Sequence, residues 1–243
     1  ALYVLALALG WNFRFVEDDA FITYRYAQNL AHGRGLVFNP GQKVEGYTNF
    51  LWTLIHALPE KAGWSTPMFG QLLGLAIFVA TVAVALRLAR AIVGSETAAV
   101  FAVLVLLANL TFVGYATSGL ETMLQTLLAT SIGLLLLPDA AHRFGPTARR
   151  VAAGFLGGIA LMVRLDTGVL VAAWFLVSLV VEWRRGPVEG RPRRAVIGAL
   201  LLGGPLLVVV TPWLVWTYDY YGSLLPNTFA AKTGSSTFQP VIF

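Results

Sequence analysis

Cysteine is absent from all 243 residues, which excludes disulfides and thiolate metal sites. Charge is scarce too: Asp, Glu, Lys and Arg together make up 12% of the chain, about half of what a soluble domain carries. There is no aromatic-basic nucleic-acid motif and no internal repeat. The opening apolar run has no basic stretch before it and no small-residue cleavage site after it, which argues against a signal peptide. Apolar residues fill the space: they are 57% of the sequence, and the mean hydropathy is +0.72. The chain is therefore read as an all-α, polytopic transmembrane helix bundle. The net charge of +5 comes from basic clusters in short loops between apolar runs, a pattern that membrane topology explains better than nucleic acid does.

Apolar runs lie near 67–86, 97–113, 120–137, 151–163, 168–182 and 195–216. The run that opens the chain is about ten residues long, half of the roughly 20 needed to span a bilayer. It reads as the outer end of a truncated first transmembrane helix, and the whole as the N-terminal part of a longer protein. Three loops carry ten of the 17 basic residues: Arg87 with Arg90; Arg143, Arg149 and Arg150; and Arg184, Arg185, Arg191, Arg193 and Arg194. The positive-inside rule makes these loops cytoplasmic. Alternation then places 11–66, 114–119, 164–167 and the segment after about 217 outside. Run 151–163 is about 20 Å long as a helix, short of the roughly 30 Å hydrocarbon core, so it is expected to end within the membrane. Run 49–58 is also too short to span and is expected to be re-entrant or surface-lying.

The outer segment 11–66 opens on "EDDAFITYRY". Asp18 or Asp19 can cap a helix that runs to about His32. Phe21, Tyr24, Ala27 and Ala31 would form its apolar stripe, with Asp18, Arg25, Asn29 and His32 near the opposite face. Capping uses one aspartate and leaves the other, with Glu17, unexplained. The remaining outer polar residues are Glu45 and Tyr47 in "VEGYTNF", Ser118 and Glu121 in "TSGLET", Arg164 and Asp166 in "VRLD", and Asn227 and Lys232 in "LLPNTFAAKTG". Ser118 and Glu121 can form a capping box, and Arg164 with Asp166 an ion pair closing a turn. Arg25 and His32 can simply be the wet face of a surface helix. Ionisable groups at membrane depth are costly and point to function. Two carboxylates beside several cations suit a substrate that carries a phosphate and a hydroxyl. An Asp can take the hydroxyl proton, Arg or Lys can neutralise the phosphate, and paired acids can hold a divalent cation. A multi-pass transporter or flippase of lipid-linked sugars is the other reading of charged residues at depth.

The stretch "EDDAFITYRYAQNLAHGRGLVFNPGQKVEGYTNFLW" resembles the first extracytoplasmic loop of the GT-C membrane glycosyltransferases. It is most similar to the mycobacterial terminal β-(1→2)-arabinofuranosyltransferase branch. "TSGLETML", "VRLDTGVLV" and "GSLLPNTFAAKTG" fall where that branch carries similar stretches. The resemblance implies a GT-C-like bundle in the plasma (inner) membrane, with a long first extracytoplasmic loop carrying membrane-lying helices. It also implies a polyprenyl-phosphate sugar donor, a glycan or glycolipid acceptor and an extracytoplasmic active site. The family's catalytic acid, at the end of the first transmembrane helix, matches Asp18 or Asp19 here; motif position favours Asp18 as the base, with Asp19 orienting substrate or metal. The family's other extracytoplasmic polar positions would correspond to Glu45, Glu121, Arg164 and Asp166; Arg25, Tyr47, Asn227 and Lys232, from the outer polar set above, complete the substrate-binding candidates. The soluble C-terminal domain of family members is not found in this sequence.

Overall fold

A computed structural model of the chain describes residues 1–138, 140, 144–185, 187–224 and 226–227. Among these, every regular element is a helix: α1 (Leu2–Asn12), α2 (Ala20–Ala31), α3 (Phe50–Lys61), α4 (Thr66–Val93), α5 (Glu96–Leu107), α6 (Leu110–Gly114), α7 (Thr122–Leu136), α8 (Pro146–Val163), α9 (Gly168–Arg185) and α10 (Arg191–Tyr221), with a 3-10 turn at Leu165–Thr167. The all-α membrane bundle read from composition is what the structure contains. Three helical stretches, Thr66–Val93, Leu165–Arg185 and Arg191–Tyr221, are long and apolar enough to cross a bilayer.

The helix ends follow local chemistry. α4, α8 and α10 each start with proline in the first turn, where the missing N–H costs nothing. Ser95 accepts from the Ala98 N–H to start α5, and Asn109 accepts from the Phe112 N–H at 3.0 Å to start α6. That second cap splits the apolar run 97–113 into two helices, a break that hydropathy alone does not reveal. The run expected at 151–163 is also different: α8 begins at Pro146 and has 18 residues, so it reaches about 27 Å. Its extra turns carry Arg149 and Arg150, which a count of apolar residues leaves out.

Three packed layers hold the chain together. α1, α4, α5 and α6 enclose Leu75, Phe78, Val82, Val103 and Val113. α7 to α10 enclose Leu128, Ile132, Ala160, Val163 and Leu202. α8 lies closest to α10, with Gly154 against the Leu202 carbonyl and Gly158 against Val209, the small-residue contact that membrane helices use to approach closely. The third layer sits at one end, where α2, the segment 34–48, the start of α3 and the last turns of α10 bury Tyr26, Leu36, Tyr47, Phe50 and Trp213.

α2 departs from the single apolar stripe. Phe21 is 55% exposed, while Asn29 is fully buried and its amide donates to the carbonyls of Val37 at 2.7 Å and Phe38 at 2.8 Å. The cause is that α2 is covered twice, by α3 and by the segment that folds back after Gly33 and Gly35. A polar residue on the second covered face is stable because it satisfies two loop carbonyls.

Of the segments expected outside (11–66, 114–119, 164–167 and the chain after about 217), the turn 13–19, the loop 115–121, residues 164–167 and the end of α10 lie at one end of the bundle. The arginine-bearing connections after α4 and between α9 and α10 lie at the other. The chain direction requires this: α7 and α9 leave the first end, and α8 and α10 return to it.

Candidate active site

The acid turn is fixed to the rest of the end by two backbone straps. The Glu17 N–H donates to the Ser118 carbonyl at 2.9 Å, and the Phe15 N–H donates to Thr117 Oγ1 at 3.3 Å. Neither aspartate caps α2 with its side chain, although Asp19 occupies the cap position. Instead Asp18 Oδ1 accepts from the Asp19 N–H at 2.9 Å, which orients the Asp18 carboxylate. Both aspartates are exposed, and neither forms an ion pair among the described residues.

The loop 115–121 carries this turn to a second polar group. Gly119 has φ +82° and lies against Tyr24, so that a Cβ there would strike the Tyr24 hydroxyl. Two residues later Glu121 enters the core at 2% exposure. It is the cap position of α7, but its side chain makes no cap bond. The capping box with Ser118 does not form: Ser118 Oγ instead takes the Leu120 N–H at 3.2 Å. Glu121 Oε1 accepts from Arg164 Nη1 at 2.8 Å, and Oε2 from Asn49 Nδ2 at 2.7 Å. Arg164 also grips Asp166 in a two-armed contact, Nη2 to Oδ2 at 2.6 Å and Nε to Oδ1 at 3.0 Å. Asp166 accepts further from Gln125 at 3.3 Å, and Gln125 reaches Thr167 at 2.9 Å. The ion pair read from "RLD" is thus real, and it is one half of a Glu121–Arg164–Asp166 group spanning three elements.

Glu45 forms a third group. It is 5% exposed, lies in the field of Tyr26, Tyr47 and Tyr221, and its buried Oε2 has no hydrogen-bond partner among the described residues. Burial pushes its carboxyl up to about 7. Tyr26 holds this loop by donating to the Val44 carbonyl at 2.8 Å while accepting from the Gly46 N–H at 2.9 Å. Tyr47 and Tyr221 hydroxyls meet at 3.2 Å, and Tyr221 donates to the Leu36 carbonyl at 2.6 Å. The Asn227 N–H donates to the Glu45 carbonyl at 2.8 Å.

The candidates therefore share one end of the bundle but not one constellation. Asp18 and Asp19 stand exposed; Glu121, Arg164 and Asp166 are joined; Glu45, Tyr47 and the Asn227 backbone form a separate buried cluster. Arg25 turns to the loop, with Nε donating to the Phe38 carbonyl at 3.2 Å and Nη1 to Gln28 at 3.2 Å. His32 is exposed with Nδ1 2.8 Å from the Gln28 carbonyl. Lys232 lies outside the described residues. No group of three His, Asp or Glu side chains gathers for a metal among the described residues. Asp18 and Asp19 would offer an ion two carboxylates, one oxygen of which already accepts a backbone N–H.

Sequence reasoning missed two buried contributors. Asn49 links Thr23, at 2.9 Å, to Glu121 and takes a hydrogen bond from Thr53 at 3.0 Å. Its place just before α3 reads as a helix cap, which hides the role. His56 is fully buried, its Nδ1–H donating to the Trp52 carbonyl at 2.9 Å, and burial lowers its pKa to about 4. Its Nε2 and the Tyr24 hydroxyl both lack partners and both face Gly70 of α4. A histidine in an apolar helix was the available signal.

No family model matches the chain, and no solved structure matches it. Two curated proteins do, both named terminal beta-(1->2)-arabinofuranosyltransferase. The one from Mycobacterium tuberculosis is 28% identical over 250 residues, 92% of this chain. The one from Corynebacterium glutamicum is 25% identical over 256 residues, 96% of this chain. The resemblance seen in the acid turn thus extends along nearly the whole chain, which is similar to two terminal arabinofuranosyltransferases and spans 36% and 35% of their lengths.

Proposed function

We propose that this chain is the N-terminal membrane portion of a GT-C-like glycosyltransferase. The enzyme moves a sugar, arabinofuranose on the strength of the two relatives, from a polyprenyl-phosphate donor to an acceptor hydroxyl. The acceptor is a cell-envelope glycan or glycolipid, and transfer takes place at the extracytoplasmic face of the plasma membrane. The observation that carries this reading is the state of the acid pair. Glu121 and Asp166 are engaged by Arg164 and Glu45 is buried, whereas Asp18 and Asp19 are exposed and form no ion pair among the described residues. Asp18 has one oxygen fixed by the Asp19 N–H and the other open, as a positioned base requires. In the reaction Asp18 takes the acceptor O–H proton as the acceptor oxygen bonds to the anomeric carbon. The bond from that carbon to the phosphate oxygen breaks, and polyprenyl phosphate leaves with the electron pair. Asp19 orients the acceptor through its free carboxylate. Phosphate is a good leaving group, so catalysis rests on positioning and charge.

Transfer from a labelled polyprenyl-phosphate arabinofuranose donor, measured on the full-length protein in detergent, tests the assignment. Asp18→Asn is expected to lower kcat by about 10²-fold or more, the span general-base removal gives, and Asp19→Asn by less. Full activity in both variants refutes the catalytic role.

A further inference from the structure

At the end remote from the acid turn, α7 and α9 finish where α8 and α10 begin, and a cavity of about 310 Å³ lies between them. Among the described residues its lining includes Arg149, Arg150, Arg185 and Arg194 and one carboxylate, Glu182. Arg150 pairs with Glu182 at 2.8 Å. Arg149 Nη1 donates to the carbonyls of Leu135 at 3.4 Å and Leu137 at 3.3 Å, but its buried Nε–H has no partner among the described residues. Such a donor is expensive to leave unmade. The N-termini of α8 and α10 border the cavity, and neither carries a side-chain cap, so their positive dipole ends add to the arginine field. The cavity lies at the arginine-bearing ends of α9 and α10, which belong to two stretches long and apolar enough to cross a bilayer, the level at which a bilayer places its headgroups.

We propose that this cavity binds the phosphate group of an anionic phospholipid, whose acyl chains lie in the surrounding bilayer. Guanidinium forks match phosphate oxygens, and basic pockets between transmembrane helices suit lipid headgroups. Its place at the end of two membrane-crossing helices favours a lipid over free phosphate. The 18-residue α8 separates the cavity from Arg164 by about 27 Å, so the site is independent of the transfer reaction proposed above.

Native mass spectrometry of the delipidated full-length protein, titrated with phosphatidylglycerol and with phosphatidylcholine of the same acyl chains, tests this. Phosphatidylglycerol is expected to be retained about tenfold more strongly, and Arg149→Gln to remove most of that preference. Arg149→Lys should keep part of the preference, and Arg87→Gln, an exposed arginine at the same end, should keep all of it. Unchanged phosphatidylcholine retention by the Gln variant shows that it is folded. Equal retention of the two lipids overturns the proposal. So does equal weakening by Arg149→Gln and Arg87→Gln, which would mark diffuse attraction. Complete displacement by millimolar inorganic phosphate overturns the lipid assignment.

Discussion

Replacing Arg164 by methionine keeps the apolar stem of the side chain and deletes the charge between Glu121 and Asp166. Glu121, at 2% exposure, is left with Asn49 as its hydrogen-bond donor. Removing one partner of a buried pair costs about 3–5 kcal/mol, because the other charge stays buried and uncompensated. Two features reduce that figure here: the Arg164 side chain is 33% exposed, and the Asn49 amide remains. Asp166 has a 57% exposed side chain and recovers water, so its loss is small. Arg164→Met should therefore destabilise by about 2–3 kcal/mol. Glu121→Gln alone keeps the shape and one acceptor, and should cost about 1 kcal/mol. In the double variant no charge is buried, so the two losses must not add. The expected total is about 1–2 kcal/mol, a coupling of about 2 kcal/mol in a double-mutant cycle. Reversible denaturant unfolding in mixed micelles measures all four proteins. Additive losses would refute the view that Arg164 stabilises chiefly by compensating Glu121.

Glu45 and His56 give opposing pH slopes. A carboxyl raised to about 7 loses folded stability as pH rises from about 4.5 to 7, while a histidine lowered to about 4 loses it as pH falls below about 6.5. The two offset in the wild type, so Glu45→Gln should be more stable at pH 8 and should weaken on acidification from pH 6.5; an unchanged profile by thermal melting at stepped pH counts against the Glu45 shift. Gly119→Ala should cost about 1–2 kcal/mol for its left-handed backbone, plus the clash with the Tyr24 hydroxyl. Tyr24→Phe should recover the clash part, and on its own should be neutral or stabilising, because that hydroxyl is buried without a partner; unfolding of the two singles and the double checks this. Asp166→Asn should raise the donor KM with little change in kcat, and initial-rate kinetics showing a lower KM would count against the role given to its carboxylate below.

Hydropathy made the helices legible where one apolar run equals one helix: α4, α7, α9 and α10 start and stop within a few residues of the runs read from sequence, apart from the last turns of α4 and α10 and the arginine-bearing start of the latter. It failed where polar side chains decide the boundary, at the Asn109 cap and the arginine-bearing start of α8. The acid turn and the Arg164–Asp166 pair were readable because their partners are local. The bonds that join Glu121, itself a sequence candidate, to Arg164 and Asn49 were not, since Glu121 lies 43 residues before Arg164 and Asn49 a further 72. Periodicity says which face of a helix is apolar, but not which helix ends meet. Asn29 misled for a related reason: a one-stripe reading assumes one covered face, and α2 has two.

The charge balance of the Glu121–Arg164–Asp166 group bears on how a phosphate donor is held. Two carboxylates surround one guanidinium at 2.8 Å and 2.6 Å, leaving a formal excess of negative charge. A unit charge 4 Å away interacts by about 4 kcal/mol at the effective dielectric of a protein surface, so this group repels an approaching phosphate more than it attracts one. Exposed Asp166 is better matched to the hydroxyls of a sugar, which donate to carboxylates. Arg25 is committed to the Phe38 carbonyl and Gln28. On the proposed mechanism the cation that neutralises the donor phosphate would then be supplied by other residues, and Arg164 would act mainly by fixing the two carboxylates in place.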